Sequence, residues 1–156
     1  MILCIDSGNT RIKWGIHDGQ EWLVSGAMLH ADANQLQQLA AIYPQPSRIL
    51  LANVAGERAK TSIAQHLQAW GTSITEVKAG LYQAGVTNLY KNPEQLGVDR
   101  WSALIGAWQL LGMACVVVMA GTATTIDTLD DQGNFLGGLI LPGSDLMRHS
   151  LTRGTA

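Results

Sequence analysis

The pattern of apolar and polar positions predicts two β-meanders, one at each end of the chain. The first consists of three predicted strands, at residues 2–6, 11–16 and 21–28. Alternating or continuous apolar runs bounded by Gly, Asn and Asp turns favour strands there. The second meander repeats this order, with predicted strands at residues 115–119, 124–129 and 135–141. Setting Gly8 on Gly121 brings the two almost into register, as in a duplicated unit, although unrelated β-meanders also share such a pattern.

The segment between the meanders predicts helices alternating with buried strands. The predicted helices lie at residues 33–42, 57–70 and 97–112, and the predicted strands at 48–54 and 74–78. The clearest helix is 97–112, because its apolar side chains recur at three- and four-residue steps and form one wide stripe. Residues 79–96 are rich in Gly and Asn and predict a loop, and a final helix is expected to begin near Ser144.

Composition excludes several classes of protein. The chain has 156 residues, of which 47% are hydrophobic and 14% charged, and its net charge of −2 leaves no basic surplus for nucleic acid or an anionic membrane. The cysteines, Cys4 and Cys115, lie in apolar runs and predict buried thiols, not a disulfide scaffold. No zinc spacing occurs. Without a basic start or an apolar run near 20 residues, we expect a soluble, cytoplasmic protein.

The first candidate site is the turn that follows the first strand, Asp6 to Lys13. Gly8 allows backbone N–H groups to approach an anion, and Lys13 adds a mobile cation. A carboxylate such as Asp6 beside phosphate donors makes chemical sense where a divalent cation bridges the two. The same spacing also suits an ordinary hairpin with a solvated lysine, and the residues alone leave both open.

The second and third candidate sites are weaker when taken singly. The segment 121–127 (GTATTID) offers a turn of the same kind with hydroxyls in place of charge, although threonine-rich hairpins are common. The segment 97–101 (GVDRW) places Asp99 and Arg100 on the first turn of a helix, where a carboxylate can accept a proton and an arginine can pair with a carboxylate or phosphate. The ordinary alternative is a helix-terminal acid followed by an exposed arginine.

Four segments taken in order, DSGNTRIKWG, YKNPEQLGVDRW, GTATTID and GGLILPG, resemble the type III pantothenate kinase family. The resemblance covers both ends and the middle of the chain, whereas residues 29–85 carry no signature of the family. It implies an α/β, duplicated ribonuclease-H-like fold similar to actin, in which mixed sheets with flanking helices hold ATP between two phosphate-binding hairpins. Residues 1–114 would form the first domain, with the substrate helix 97–112, and residues 115–156 would begin the second.

The resemblance also implies roles for individual residues. ATP would bind at the first hairpin through Asp6, Ser7, Gly8, Asn9, Thr10, Arg11, Ile12 and Lys13, and at the second through Thr122. Asp6 would lie nearest the magnesium of MgATP. Pantothenate would bind at Tyr90, Gly97, Val98, Asp99 and Arg100, with Asp99 as the proton acceptor for its primary hydroxyl. Family members act as cytoplasmic homodimers in the first step of coenzyme A synthesis, helped by a monovalent cation such as potassium or ammonium.

Two features depart from the family pattern. Met119 stands where many members carry an aspartate that binds potassium, and a thioether is a poor ligand for a hard cation, so the potassium site is either lost or built from other oxygens. The family also continues well past the PG segment. The second domain is therefore expected to be incomplete, with exposed apolar strand edges and faces.

Three functions are consistent with these residues. The first is a pantothenate kinase that transfers phosphate from ATP to the primary hydroxyl of pantothenate. The second is a non-catalytic nucleotide-binding relative or accessory regulator, or an inactive fragment, although Asp99 and Arg100 favour the enzyme. The third is a kinase of the same superfamily that acts on a sugar or acid, against which the GVDRW segment argues.

Overall fold

The computed structural model describes residues 1–154. Contacts along the chain separate two compact units, Met1–Lys78 and Ala79–Ala156. No helix within the described residues has the length and apolar character needed to cross a membrane.

A five-stranded mixed sheet forms the first unit. Its strands are β1 (Ile2–Ser7), β2 (Arg11–His17), β3 (Trp22–Leu29), β4 (Arg48–Asn53) and β5 (Ile74–Glu76), in the order β3-β2-β1-β4-β5. The first three strands pair antiparallel, whereas β4 and β5 run parallel to β1. The helices α1 (Leu36–Ile42) and α2 (Glu57–His66) supply Leu36, Leu39 and Ile63 to the core that includes Leu3 and Ile5 of β1.

The second unit contains another five-stranded sheet. Its strands are β6 (Tyr82–Gln83), β7 (Val86–Asn88), β8 (Cys115–Ala120), β9 (Ala123–Leu129) and β10 (Asn134–Pro142), in the order β6-β7-β10-β9-β8. The helix α3 (Val98–Leu111) buries Trp101 and Leu104 against Leu129 and Phe135 of this sheet. The helix α4 (Ser144–Gly154) follows β10. These two sheets with their helices confirm the predicted α/β class.

The two meanders bury different faces. With Gly8 set on Gly121, Leu3 and Ile5 of β1 correspond to Val116 and Val118 of β8. Leu3 and Ile5 are 0% and 3% exposed, because α1 and α2 contribute to their core. Val116 and Val118 are 60% and 59% exposed, and the half-buried side chains of β8, Cys115 and Val117, pack into the core with α3 instead. The expected exposure of an apolar strand face is therefore present.

The positions of β1 and β8 within their sheets also differ. In the first unit β1 is central, because β4 pairs with it in parallel. Within residues 1–154, β8 pairs with β9 alone and ends its sheet. The two hairpins thus share the same antiparallel connection, but a further strand pairs with β1 and none of the described residues pairs with the outer edge of β8.

Local structure differs from the sequence-based prediction in three places. The helix predicted at 33–42 begins as a 3₁₀ turn, His30–Gln35, and the one predicted at 57–70 ends as another, Gln68–Trp70. Residues 79–96, predicted as a loop, contain β6 and β7. A strand as short as β7 shows too few alternations to be recognised, and its partner β10 lies far along the chain.

The helix α3 lies in the second compact unit, ahead of the domain boundary predicted at 114/115. The reason is packing, since α3 shares its buried contacts with β7, β9 and β10. The division into a first domain of residues 1–114 and a second that begins at 115 stays a prediction.

Replacing equivalent residues of the two meanders tests this difference in burial. Ile5→Ala should lower the free energy of unfolding of the first unit by about 2–5 kcal/mol, because it leaves a cavity in a closed core. Val118→Ala should change stability by less than about 0.5 kcal/mol, since the side chain lies on an open face. Urea denaturation followed by circular dichroism measures both. Equal losses in the two variants would mean that the β8 face is covered.

Candidate functional site

The first candidate hairpin is closed by its own backbone. Ser7 and Ile12 are register partners, and the Gly8 amide donates to the Arg11 carbonyl at 3.1 Å across the turn. The Gly8 amide is thus hydrogen-bonded within the turn, and the part of Gly8 in phosphate binding stays a prediction. The Lys13 ammonium lies 3.4 Å from Asp6 Oδ2 in a largely exposed pair. Such pairs contribute at most about 1 kcal/mol, so Lys13 can turn to a phosphate at little cost.

Two further groups shape this hairpin. The Ser7 hydroxyl is buried and has no hydrogen-bond partner within the described residues. Because side chains alternate along a strand, this hydroxyl lies on the buried face of β1 with Leu3 and Ile5, opposite to Asp6. The His30 ring, which sequence reasoning missed, donates from Nε2 to the Gly8 carbonyl at 2.7 Å. It therefore fixes the turn from outside the hairpin.

The second candidate hairpin is supported from the start of α4. The Gly121 amide donates to the Ala123 carbonyl at 3.0 Å, and the Gly143 amide donates to the Thr122 carbonyl at 2.9 Å. A Cβ atom at Gly143 would lie 2.7 Å from that carbonyl and closer still to the Gly121 oxygen. A side chain at position 143 is therefore incompatible with this turn, which explains why the PG segment has a glycine there.

Two cross-strand neighbours mark the predicted cation position. Met119 of β8 and Thr125 of β9 are register partners, so their side chains share one face of the sheet. The Thr125 hydroxyl is buried without a hydrogen-bond partner within residues 1–154. No group of three or more His, Cys, Asp or Glu able to hold a metal ion occurs in the described part of the chain.

Asp99 lies at the start of α3 with its carboxylate unengaged. Within residues 1–154 this side chain makes no hydrogen bond or ion pair, and it is half-buried. Its Oδ1 lies 2.6 Å from the position a Cβ atom would take at Gly97, so the carboxylate folds back over the glycine that precedes the helix. A carboxylate placed there is favoured by the helix dipole and is able to accept a proton from an alcohol.

Arg100, the next residue, is buried and engaged. It is 6% exposed, and its Nε donates to Asp127 Oδ2 at 3.0 Å while its Nη2 donates to Oδ1 of the same carboxylate. Asp127 lies on β9 and is 1% exposed. Hydrogen bonding to Asp127, with a further contribution from Tyr90, raises the pKa of Arg100 against the opposing effect of burial. The alternative of an exposed arginine is therefore wrong.

Aromatic side chains complete this cluster. The rings of Tyr90 and Phe135 lie 5.1 Å apart, and the guanidinium carbon of Arg100 lies 5.8 Å from the centroid of Phe135. Asn88, buried at the end of β7, accepts from the Tyr90 amide at 3.1 Å and donates to the Pro93 carbonyl. The structure thus brings together Tyr90 and Arg100, two of the predicted acceptor-binding residues.

Gly138 on β10 leaves the space that the ion pair occupies. It is the register partner of Asp127. A Cβ atom there would lie 2.9 Å from Arg100 Nη2 and closer still to Asp127 Oδ1. The second glycine of the GGLILPG segment is therefore required by the pair.

Sequence reasoning gave no individual role to His30, Asn88, Asp127, Gly138 or Gly143, although the last three lie within the segments GTATTID and GGLILPG. Of these, Asp127 has the clearest sequence signal. It is the one charged residue in the predicted strand 124–129, and it stands at one of the buried positions of the strand, which alternate with half-buried ones. Two shallow cavities of the first unit, of about 380 and 250 Å³, are lined by none of the predicted site residues.

A family model and individual relatives match this chain in sequence and name the same family. The sequence model of the type III pantothenate kinase family matches residues 2–156. A type III pantothenate kinase from Dechloromonas aromatica (strain RCB) is 60% identical over the whole of this chain, which spans 66% of that relative. The chain therefore covers less than two thirds of its length.

Solved structures show the same fold. A conserved Baf-family protein from Campylobacter jejuni aligns with a TM-score of 0.62 and 22% identity over 98% of this chain and 60% of its own. A Sinorhizobium meliloti chain that carries the name of a 2-dehydro-3-deoxygalactonokinase aligns with a TM-score of 0.56 and 15% identity, over 99% of this chain and 57% of its own. These likenesses confirm the actin-like, ribonuclease-H-like fold class.

Two glycine substitutions test the packing around the ion pair. Gly138→Ala should lower the free energy of unfolding by about 1–3 kcal/mol, because the added methyl overlaps a buried pair. Gly106→Ala, at an open position of α3, should raise it by about 0.5–1 kcal/mol. Urea denaturation compares the two. A Gly138→Ala variant as stable as Gly106→Ala would contradict the packing described for the pair.

Proposed function

The chain belongs to the type III pantothenate kinase family, and on that premise we propose that it phosphorylates the primary hydroxyl of pantothenate to give 4'-phosphopantothenate, with MgATP as donor. This reaction is the first step of coenzyme A synthesis, and we place it in the cytoplasm. The observation that carries the proposal is the start of α3, where the unengaged carboxylate of Asp99 precedes the buried, oriented guanidinium of Arg100.

Asp99 is the proposed proton acceptor. Phosphoryl transfer passes through a loose transition state, so the enzyme mainly has to position the alcohol and neutralise charge. The Asp99 carboxylate would accept a hydrogen bond from the hydroxyl and take its proton as the oxygen–phosphorus bond forms. Its lack of other hydrogen bonds supports this role, because a carboxylate held in an ion pair would be a weaker base.

The acceptor is proposed to bind at Tyr90 and Gly97 to Arg100. Tyr90 and Arg100 lie in one buried cluster, and an arginine is suited to the single carboxylate of pantothenate. The backbone of Gly97 and Val98 begins α3, where N–H groups remain unpaired by the helix itself.

ATP is proposed to bind through residues 6–13, with Thr122 as a further contact. The exposed Asp6–Lys13 pair supports phosphate binding there, and Asp6 is the residue proposed nearest to magnesium. The proposal includes no cation at residue 119, because the Met119 thioether is a poor ligand for potassium.

A homodimer is also part of the proposal. The last turn of α3 supports it, because Leu110 is 86% exposed and the neighbouring Leu111 and Met113 are more than half exposed. Apolar side chains grouped in this way favour burial against a second copy.

Release of ADP from MgATP, measured with and without pantothenate, tests the proposed reaction. Pantothenate-dependent release by the purified chain is expected. Release that requires a sugar or another acid instead would assign a different kinase of the superfamily, and nucleotide binding without any transfer would favour a non-catalytic relative or an inactive fragment.

Asp99→Asn tests the assignment of the base. The variant should lose about 10²- to 10⁴-fold in kcat while its affinity for MgATP stays within about twofold of wild type, because the amide cannot accept the proton. Asp131→Asn is the matched control, since Asp131 lies in an exposed turn of the same unit. Near wild-type turnover in a folded Asp99→Asn protein would show that the base lies elsewhere.

A further inference from the structure

We propose that Asp127 is a positioning residue for the acceptor, which holds the Arg100 guanidinium in one orientation so that a carboxylate meets its Nη1 side. This inference rests on the proposed function, because it requires an anionic acceptor at Arg100. It goes beyond that function, since Asp127 lies on β9, outside the segments to which acceptor binding is assigned.

The hydrogen bonds determine which side of Arg100 is left. A guanidinium has five N–H donors in a fixed plane. Asp127 accepts from Nε and from Nη2, so the donors that Asp127 leaves are the two of Nη1 and one of Nη2, and Tyr90 also interacts with this guanidinium. The ring of Phe135 lies against Arg100, at 5.8 Å from the guanidinium carbon. The donors on Nη1 lie in the plane of the guanidinium, which is where the proposed acceptor carboxylate would meet them.

Burial makes the orientation rigid. Arg100 and Asp127 are both more than nine-tenths buried, so both have lost most of their hydration. Each charge would be uncompensated without the other. The bidentate geometry fixes the plane as well as the position of the guanidinium. Gly138 completes the arrangement, because any larger residue would push the carboxylate from its place. A ligand that meets Arg100 thus encounters a donor pair that is already ordered.

The ion pair also changes how Arg100 would bind an anion. The charges of Arg100 and Asp127 cancel, so attraction of an anion depends on the directed hydrogen bonds of Nη1 more than on net charge. In catalysis, a misplacement of about 1 Å costs up to about 10²-fold in rate, and we expect directed binding contacts to be similarly sensitive. Removal of the Asp127 charge would by itself strengthen attraction of an anion, so a selective loss of carboxylate binding reports the lost orientation of Arg100.

A purely structural pair would behave differently. If Asp127 only anchored α3 to β9, its loss would loosen the whole unit and weaken every ligand of that unit alike. A positioning role affects an acceptor that carries a carboxylate and spares one that lacks it. Pantothenate and pantothenol, its neutral alcohol analogue, differ in this one group.

The experiment measures binding of both compounds to the full chain by isothermal titration calorimetry, without ATP. Asp127→Asn should weaken pantothenate about 10- to 100-fold. The same variant should bind pantothenol within about twofold of wild type. Asp130→Asn is the matched control, because its carboxylate accepts only from Gln132 and Asn134 of its own turn within residues 1–154. It should leave both affinities within about twofold.

The possible results distinguish the positioning role of Asp127 from the proposed kinase function. Selective loss of pantothenate binding in Asp127→Asn supports the inference. Equal weakening of both compounds, or no change in either, overturns it while leaving the proposed function in place. Failure of the wild-type chain to bind pantothenate at all overturns the proposed function, and the inference with it.

A second measurement does not depend on the stability of the variant. In wild-type chain labelled with ¹⁵N-arginine, the Arg100 Nε–H signal should be protected from solvent exchange before any ligand is added. Pantothenate should shift the Arg100 side-chain signals more than pantothenol does. An Nε–H that exchanges freely until pantothenate arrives would show that the orientation is not preformed, and the positioning role would be wrong.

Discussion

The buried ion pair between Arg100 and Asp127 is the constraint on which the second unit depends. A guanidinium that is 6% exposed has to be paired, because an isolated buried charge would cost more than the folded state can supply. The pairing ties the first turn of α3 to the middle of β9 and excludes a side chain at position 138. Asp99 precedes Arg100 directly, so the place of the proposed base follows from the same pair.

The two meanders show how one connection serves different surroundings. In the first unit, α1 and α2 share a core with Leu3 and Ile5, and the hairpin ends in the exposed Asp6–Lys13 pair. In the second, the buried face carries Asp127 and the core shared with α3, and the apolar side chains of Val116 and Val118 stay exposed. What packs on a hairpin therefore decides whether a position is core, site or surface.

Much of the fold was predictable because its signals are local. The strands of both meanders are bounded by Gly, Asn and Asp turns, and the stripe of α3 spans four turns of helix, so each could be recognised within a short window. The family resemblance likewise rests on short segments. β6 and β7 could not be predicted, since two- and three-residue strands have no periodicity of their own, and β7, on which β6 pairs, itself pairs with the distant β10. His30 was missed for a related reason, because its partner Gly8 lies 22 residues away.

The sequence by itself determined the order of elements, the membership of a kinase family and the residue types at the candidate sites. Alternation along β9 shows that Thr125, Asp127 and Leu129 share a face, because side chains of a strand alternate with a period of two. It does not show which element covers that face. Only the tertiary structure decided that Arg100, 27 residues from Asp127, is its buried partner and not an exposed arginine. The reason is that pairing across such a separation is set by how α3 packs on the sheet, which no local pattern encodes.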